Sequence, residues 1–260
     1  VPQVVGDLAK LANDENAKAV VLRINSGGGS AYASEQMWRA IQLLKKKKPV
    51  VVSMGGMAAS GGYYMACSAN HIIAEPTTLT GSIGIFGMVP DASELLTEKL
   101  GLNFDVVKTN EASDFGAMGR AFNAGESQAM QAYVDRGYAL FLKRVAEGRK
   151  MKTSEVDSIA QGRVWTGAQA LRIKLVDQLG TLNDAIAYAA KLAKVKDYGL
   201  GSYPQRTGWL DNVLKTYHDD YMEQQVRVAL GEYYRPLRFV SSIKGTDCLQ
   251  ARLPFELNIK

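Results

Sequence analysis

The sequence predicts an α/β fold, and three observations carry that prediction. Short apolar runs at 19–25, 50–52 and 71–74 alternate with longer stretches of helical periodicity. The connections between them are short and rich in glycine, as βαβ units with right-handed crossovers require. Hydrophobic residues make up 47% and charged residues 22% of the 260 positions, ordinary for a globular chain that buries a sizeable core in one or two domains.

Taken in order, residues 3–17 read as an amphipathic helix through Val5, Leu8 and Leu11. Ala19-Val20-Val21-Leu22-Arg23-Ile24-Asn25 is a nearly continuous apolar strand, the kind found in parallel sheets covered on both faces. It enters Ser26-Gly27-Gly28-Gly29-Ser30 and then a helix through about Leu44. Behind Pro49, Val50-Val51-Val52 reads as a buried strand feeding a small-residue turn with the glycine pairs Gly55-Gly56 and Gly61-Gly62. A short helix over 63–69 follows. The strand His71-Ile72-Ile73-Ala74 ends at Glu75-Pro76. Next come a short strand at 80–84, a helix over 91–100, a strand over 104–108 and a polar loop over 109–125. Helices are expected at 126–147, 153–161, 167–172 and 181–194. The division expected is a main domain over 1–197 and an appendage over 198–260. The appendage would hold a helix around Trp209–Tyr217 and an extended end from Leu237, docking on the main body or on another subunit.

Several function classes recede on composition. No apolar run approaches the roughly 18 residues of a membrane span, and no signal-peptide pattern opens the chain. The net charge of +5 is mild. Lys45–Lys48 falls at a helix C-terminus, where cations favour the dipole and stay solvated; attraction to anionic lipid headgroups is the other reading. No basic and aromatic interleaving marks a nucleic-acid surface. Cys67 and Cys248 make no disulfide framework, and His71 and His218 lack ligand-spaced partners for a metal.

The chemistry concentrates at Ser60. Its hydroxyl sits between a buried strand and a short helix, beside backbone N–H groups that glycine leaves open, which suits a nucleophile and the oxyanion it creates. A serine that merely caps the helix is the plain alternative. The turn at 26–30 would converge with it on one crevice at the C-terminal ends of adjacent parallel strands. Neither turn fits a phosphate-binding fingerprint, and Ala58 departs from the G-x-S-x-G elbow. A serine alcohol needs a base, and none stands out. His71 begins a strand that leads away from Ser60, and Lys99 and Lys108 read as solvated.

The segments Asn25–Ser30, Ser53–Tyr64 and Thr80–Gly87 resemble, in order and spacing, the bacterial signal peptide peptidase A (protease IV) family across roughly residues 15–195. The resemblance implies a ClpP/crotonase-like βαβ superhelix with a C-terminal appendage. It implies a serine peptidase working through a serine–lysine dyad, without a cofactor. It makes Ser60 the nucleophile, assigns the N–H groups of Gly28 and Gly61 to the oxyanion hole, and makes the Ser82 hydroxyl the group that orients the lysine. Two departures stand out. Single-repeat members carry the lysine at the position of Ser113, and Gly27 stands where the family usually has Pro. The chain is similar to the serine-bearing back half of the tandem members, whose front half supplies the lysine, and its start on Val1 inside a helical pattern fits an excised piece. The resemblance further implies hydrophobic, signal-peptide-like substrates, a homo-oligomer (a tetramer), and a periplasm-facing place on the bacterial inner membrane, anchored by a segment outside this chain. A crotonase-like acyl-CoA enzyme and a non-catalytic assembly module remain as competing readings.

Overall fold

The structure, a computed structural model, describes residues 1–89, 91–117, 119–204 and 249–252. The first helix, α1 (Pro2–Asn13), leads into β1 (Val20–Ser26), β2 (Gly28–Ser30) and α2 (Ala31–Lys45). The central strand β3 (Val50–Ala59) runs directly into α3 (Gly61–Ala66). After it come β4 (His71–Ala74), β5 (Leu79–Gly81) and β6 (Phe86–Gly87). The long helix α4 (Ala124–Arg149) precedes α5 (Thr153–Ile159), β7 (Val164–Thr166), α6 (Gly167–Arg172), β8 (Gln178–Leu179) and α7 (Leu182–Ala193). A last strand, β9 (Leu249–Arg252), closes the description.

β3 organises the main sheet. β1 runs parallel along one edge of it, while β4 takes the first part of the other edge and β5 the last part. β8 extends the sheet parallel to β4, and β7 extends it antiparallel to β5. Successive residues of β3 face opposite layers, as the two-residue period of a strand dictates. Val50 packs with Leu8, Val20, Ile41 and Leu44. Val51 and its sheet neighbour Ile73 meet Ala185 and Ala189 of α7 in the opposite layer. Val52 returns to the first side and joins the largest cluster, which holds Tyr63, Ile72, Phe141 and Val145. Coverage on both faces is why the valine run is unbroken. A second, three-stranded antiparallel sheet has the order β2-β9-β6.

Four expectations are corrected. The turn read at Gly55-Gly56 is strand: β3 continues to Ala59, and the β1 register breaks between Ile24 and Ser26 instead. Asn25 packs against this stretch: its Oδ1 accepts from the Met57 N–H at 3.2 Å, and a Cβ on Gly55 would crowd the Asn25 side chain at 3.0 Å. The strand expected over 104–108 does not form, because no edge among the described residues pairs with it; Phe104, Val106 and Val107 stay exposed. The helix over 91–100 shrinks to a short piece whose core is one π-helical turn, Leu95–Lys99. The lysine cluster is only partly a solvated face: Lys46 and Lys47 are exposed at the end of α2, while Lys45 and Lys48 are half-buried. Lys45 donates to the Ser68 carbonyl, Lys47 to Asn13 Oδ1, and Lys48 to the carbonyls of Leu11 and Asp14, stapling α2 to its neighbours. The helix expected around Trp209–Tyr217, together with His218 and Cys248, lies outside the described residues.

Candidate active site

Ser60 is the one residue between β3 and α3, and its backbone is held at φ 51°, ψ −115°. An L-residue seldom adopts that conformation, and the surrounding structure must impose it at about 1–3 kcal/mol. Two bonds do so: the Ser60 N–H donates to the Gly81 carbonyl at 2.8 Å, and the Ser60 carbonyl accepts from the Tyr64 N–H at 2.8 Å. The side chain is fully buried, yet among the described residues Oγ has no hydrogen-bond partner. It does not cap α3, so the structural role that a serine at a helix start ordinarily plays is not the one it has here. A buried hydroxyl left unpaired costs about 1–3 kcal/mol.

The second glycine turn meets the first, as the strand order predicts. The Ser30 Oγ caps α2 by accepting from the Ala33 N–H, and Ser34 Oγ returns a bond to the Ser30 carbonyl at 2.9 Å. Those contacts hold Gly28 against Gly61: a Cβ built on Gly61 would stand 2.5 Å from Ser34 Oγ, 2.9 Å from the Ala251 carbonyl oxygen and 3.3 Å from the Gly28 Cα. Only glycine permits that approach. The Gly28 N–H donates to Ser26 Oγ at 3.2 Å, a long bond. Ser82 is buried at φ 48°, its N–H bonded to the Arg163 carbonyl at 2.7 Å. It follows Gly81, the residue that anchors the Ser60 amide. The structure thus brings Ser60, Gly28, Gly61 and Ser82 into one neighbourhood.

No described base is hydrogen-bonded to Ser60 Oγ. His71 pairs in register with Val51, eight residues before Ala59 on β3, or about 26 Å along a strand. There it stacks on Tyr188 at 3.7 Å and lies beside Gln178. Lys108 is ion-paired with Asp114 at 2.8 Å. Ser113, at the position where single-repeat relatives were expected to hold a lysine, donates its hydroxyl to the Asn110 carbonyl. Burial lowers the Lys45 ammonium from its ordinary value, but it donates to the Ser68 carbonyl at 2.6 Å and not to the serine. Among the described residues no cluster could hold a metal ion.

Sequence reasoning missed the group that fixes α3. Glu35 on α2 accepts from Tyr64 Oη and from Arg144 Nη2, each at 2.5 Å, and the Arg144 guanidinium lies 3.8 Å above the Trp38 ring. Burial and the neighbouring carboxylate both push the Tyr64 phenol far above its ordinary value, so it remains a donor. The three helices α2, α3 and α4 are thereby locked one turn from Ser60. Positions 35, 64 and 144 share no local pattern, so only the fold reveals them.

Known proteins are similar to this chain in sequence. The family model of Peptidase family S49 matches residues 42–196, and that of Clp protease matches residues 1–78. Protease 4 of Salmonella typhi is 44% identical over 92% of this chain and 38% of its own length. Protease 4 of Haemophilus influenzae is 42% identical over 71% of this chain and 30% of its own. The chloroplastic serine protease SPPA of Arabidopsis thaliana is 39% identical over 74% of this chain and 28% of its own. The chain therefore spans well under half the length of these curated relatives. A solved ClpP1 mutant from Listeria monocytogenes superposes with a TM-score of 0.49 at 17% identity, over 71% of this chain and 86% of that one.

Proposed function

Because this chain belongs to Peptidase family S49, with a ClpP-like α/β fold, we propose that it is the nucleophile-bearing part of a serine peptidase. In this reading Ser60 Oγ attacks the scissile carbonyl of an extended peptide, and the N–H groups of Gly28 and Gly61 stabilise the oxyanion. The observation that carries it is a fully buried hydroxyl, held at positive φ between two converging glycine segments and without a hydrogen-bond partner among the described residues. The bond from the Gly28 N–H to Ser26 Oγ is long enough to be exchanged for a substrate oxygen.

The proton acceptor is a lysine delivered by a preceding half of the same polypeptide, with the Ser82 hydroxyl orienting it. Supporting that reading, Ser60 Oγ meets no base among the described residues. Substrates are hydrophobic peptides such as signal-peptide remnants. The working form is a homo-oligomer, a tetramer, on the periplasmic side of an inner membrane. No helix of the described residues is long and apolar enough to cross a membrane, so that reading places the anchor elsewhere in the polypeptide.

A positioned base contributes about 10²–10⁴-fold to rate and an oxyanion donor about 10²–10³-fold. The purified chain alone should therefore hydrolyse apolar peptides barely above background, and the polypeptide carrying the lysine half should restore turnover. Robust cleavage by the chain alone, abolished by changing one of its own lysines, would refute the divided site. Coenzyme A binding with activity surviving Ser60→Ala would favour an acyl-CoA enzyme instead.

A further inference from the structure

The two N–H groups assigned to the oxyanion ride on different helices. Gly28 lies in β2, which runs into α2 at Ala31, and Gly61 is the first residue of α3. Their spacing is therefore set by how α3 sits on α2, and a helix of six residues does not hold its place unaided. A side-chain bond joins the two helices: Tyr64 Oη on α3 donates to Glu35 Oε2 on α2 at 2.5 Å. Each end of that bond adjoins a site residue. The Tyr64 N–H donates to the Ser60 carbonyl at 2.8 Å. Ser34, the residue before Glu35, holds its Oγ 2.5 Å from where a Cβ on Gly61 would stand. A third helix anchors the acceptor. Arg144 on α4 donates from Nη2 to Glu35 Oε1 at 2.5 Å and from Nε to Oε2 at 3.3 Å, a two-pronged grip that fixes the carboxylate's plane. Its guanidinium lies 3.8 Å above the Trp38 ring, and Phe141, one turn earlier on α4, packs on the Tyr64 ring at 4.5 Å.

We infer that Glu35 is a positioning residue for the oxyanion site: through Tyr64 it sets the spacing and aim of the Gly28 and Gly61 N–H groups, without itself touching the substrate. The inference rests on the reading of Ser60 as nucleophile and adds to it what keeps the two halves of the anion site in register. Apolar side chains of the same shape would hold three helices together at least as well as a partly buried ion pair. What the carboxylate supplies beyond packing is a short, directed link between α2 and α3. An oxyanion donor acts only when aimed at the oxygen, and a misplacement of about 1 Å can cost about 10²-fold. Removing the Tyr64 hydroxyl while keeping its ring against Phe141 loosens the link without deleting a donor, so the loss in kcat should be smaller, about tenfold.

The test uses the full-length polypeptide, unaltered and carrying Tyr64→Phe, Glu35→Gln, both together, or Glu35→Asp. Tyr64→Phe leaves the Glu35–Arg144 pair in place, so it decides the matter even if Glu35→Gln folds poorly. Turnover of an apolar fluorogenic peptide separates kcat from KM, and fluorophosphonate titration counts competent sites, so that a partly unfolded sample loses sites and not kcat per site. A peptidyl boronate of the same sequence, whose tetrahedral adduct directs an oxygen at the same N–H groups, reads the anion site alone. Tyr64→Phe and Glu35→Gln should each lower kcat per site about tenfold, leave KM within about twofold, and weaken the boronate by the same factor as kcat. The double variant should be no worse than the poorer single one, because both break the same link. Glu35→Asp keeps the charge but withdraws it by one methylene, and it should not restore kcat. Unchanged kcat per site in a folded Tyr64→Phe protein, or losses that multiply in the double variant, would overturn the inference while leaving Ser60 as nucleophile. An unaltered protein that forms no fluorophosphonate adduct on Ser60 would overturn the nucleophile reading, and the inference with it.

Discussion

Replacing the proposed nucleophile should make the protein more stable. The Ser60 hydroxyl is removed from water and finds no hydrogen bond among the described residues, which costs the folded state about 1–3 kcal/mol. Ser60→Ala deletes that oxygen and keeps the backbone at φ 51°, so it isolates the hydroxyl's contribution. For a chain of this size each kcal/mol moves the melting temperature by about 2–4 °C, giving a rise of about 2–12 °C. Ser60→Gly also releases the backbone strain, about 1–3 kcal/mol, but gives back about 0.5–1 kcal/mol of unfolded-chain entropy. It should melt at or above the alanine variant. Urea denaturation followed by circular dichroism would measure both, with an unchanged m-value guarding against a shifted denatured state. A melting temperature equal to or below that of the parent in Ser60→Ala would refute the reasoning, because the hydroxyl would then be making a bond that stabilises the fold.

Gly61→Ala should cost about 1–3 kcal/mol, because its Cβ would collide with Ser34 Oγ and crowd Gly28. It should also lower the fluorophosphonate reaction rate of the full-length protein by about 10²-fold by moving an oxyanion donor; rate and stability are read from labelling time courses and melts of the same sample. Burial alone would raise the Asp177 carboxyl, but the bonds from Arg149 and the Ile72 N–H bring it below its ordinary value. A depressed acid stabilises above its unfolded value, about pH 4, and loses that contribution as pH falls through the folded one. Asp177→Asn should accordingly cost about 1–2 kcal/mol at pH 7, allowing for the carboxylate's partial exposure, and the gap to the parent should close below pH 4 in melts across pH. Burial pushes the Cys67 thiol up to about 12, so peptide mapping after iodoacetamide treatment of the native protein at pH 8 should find that residue unmodified.

Local pattern carried most of the framework. The apolar runs at 19–25, 50–52 and 71–74 became β1, the start of β3, and β4, because strands buried on two faces announce themselves by continuous hydrophobicity. Ser60 and its flanking glycines were legible for a related reason: a run of small residues between strand and helix lets two backbones approach closely, which an ordinary connection does not need. What could not be read was long-range. The Gly55-Gly56 pair looks like a turn until Asn25 is seen filling the space beside it. Residues 104–108 have strand composition but find no edge among the described residues, and composition is silent about partners. The strands β6, β7 and β8, two or three residues each, fall below any periodicity. The clasp of Glu35, Tyr64 and Arg144 joins positions more than a hundred residues apart. The pairing of β9 with the site loops depends on a fold that no window of sequence contains.

Everything proposed depends on the reactivity of one alcohol, and an adduct mass tests it most directly. The full-length polypeptide, treated with a fluorophosphonate and digested, should yield a single modified peptide with the added mass on Ser60, and Ser60→Ala should yield none. Labelling elsewhere in the chain, or equal labelling of the alanine variant, would contradict the account.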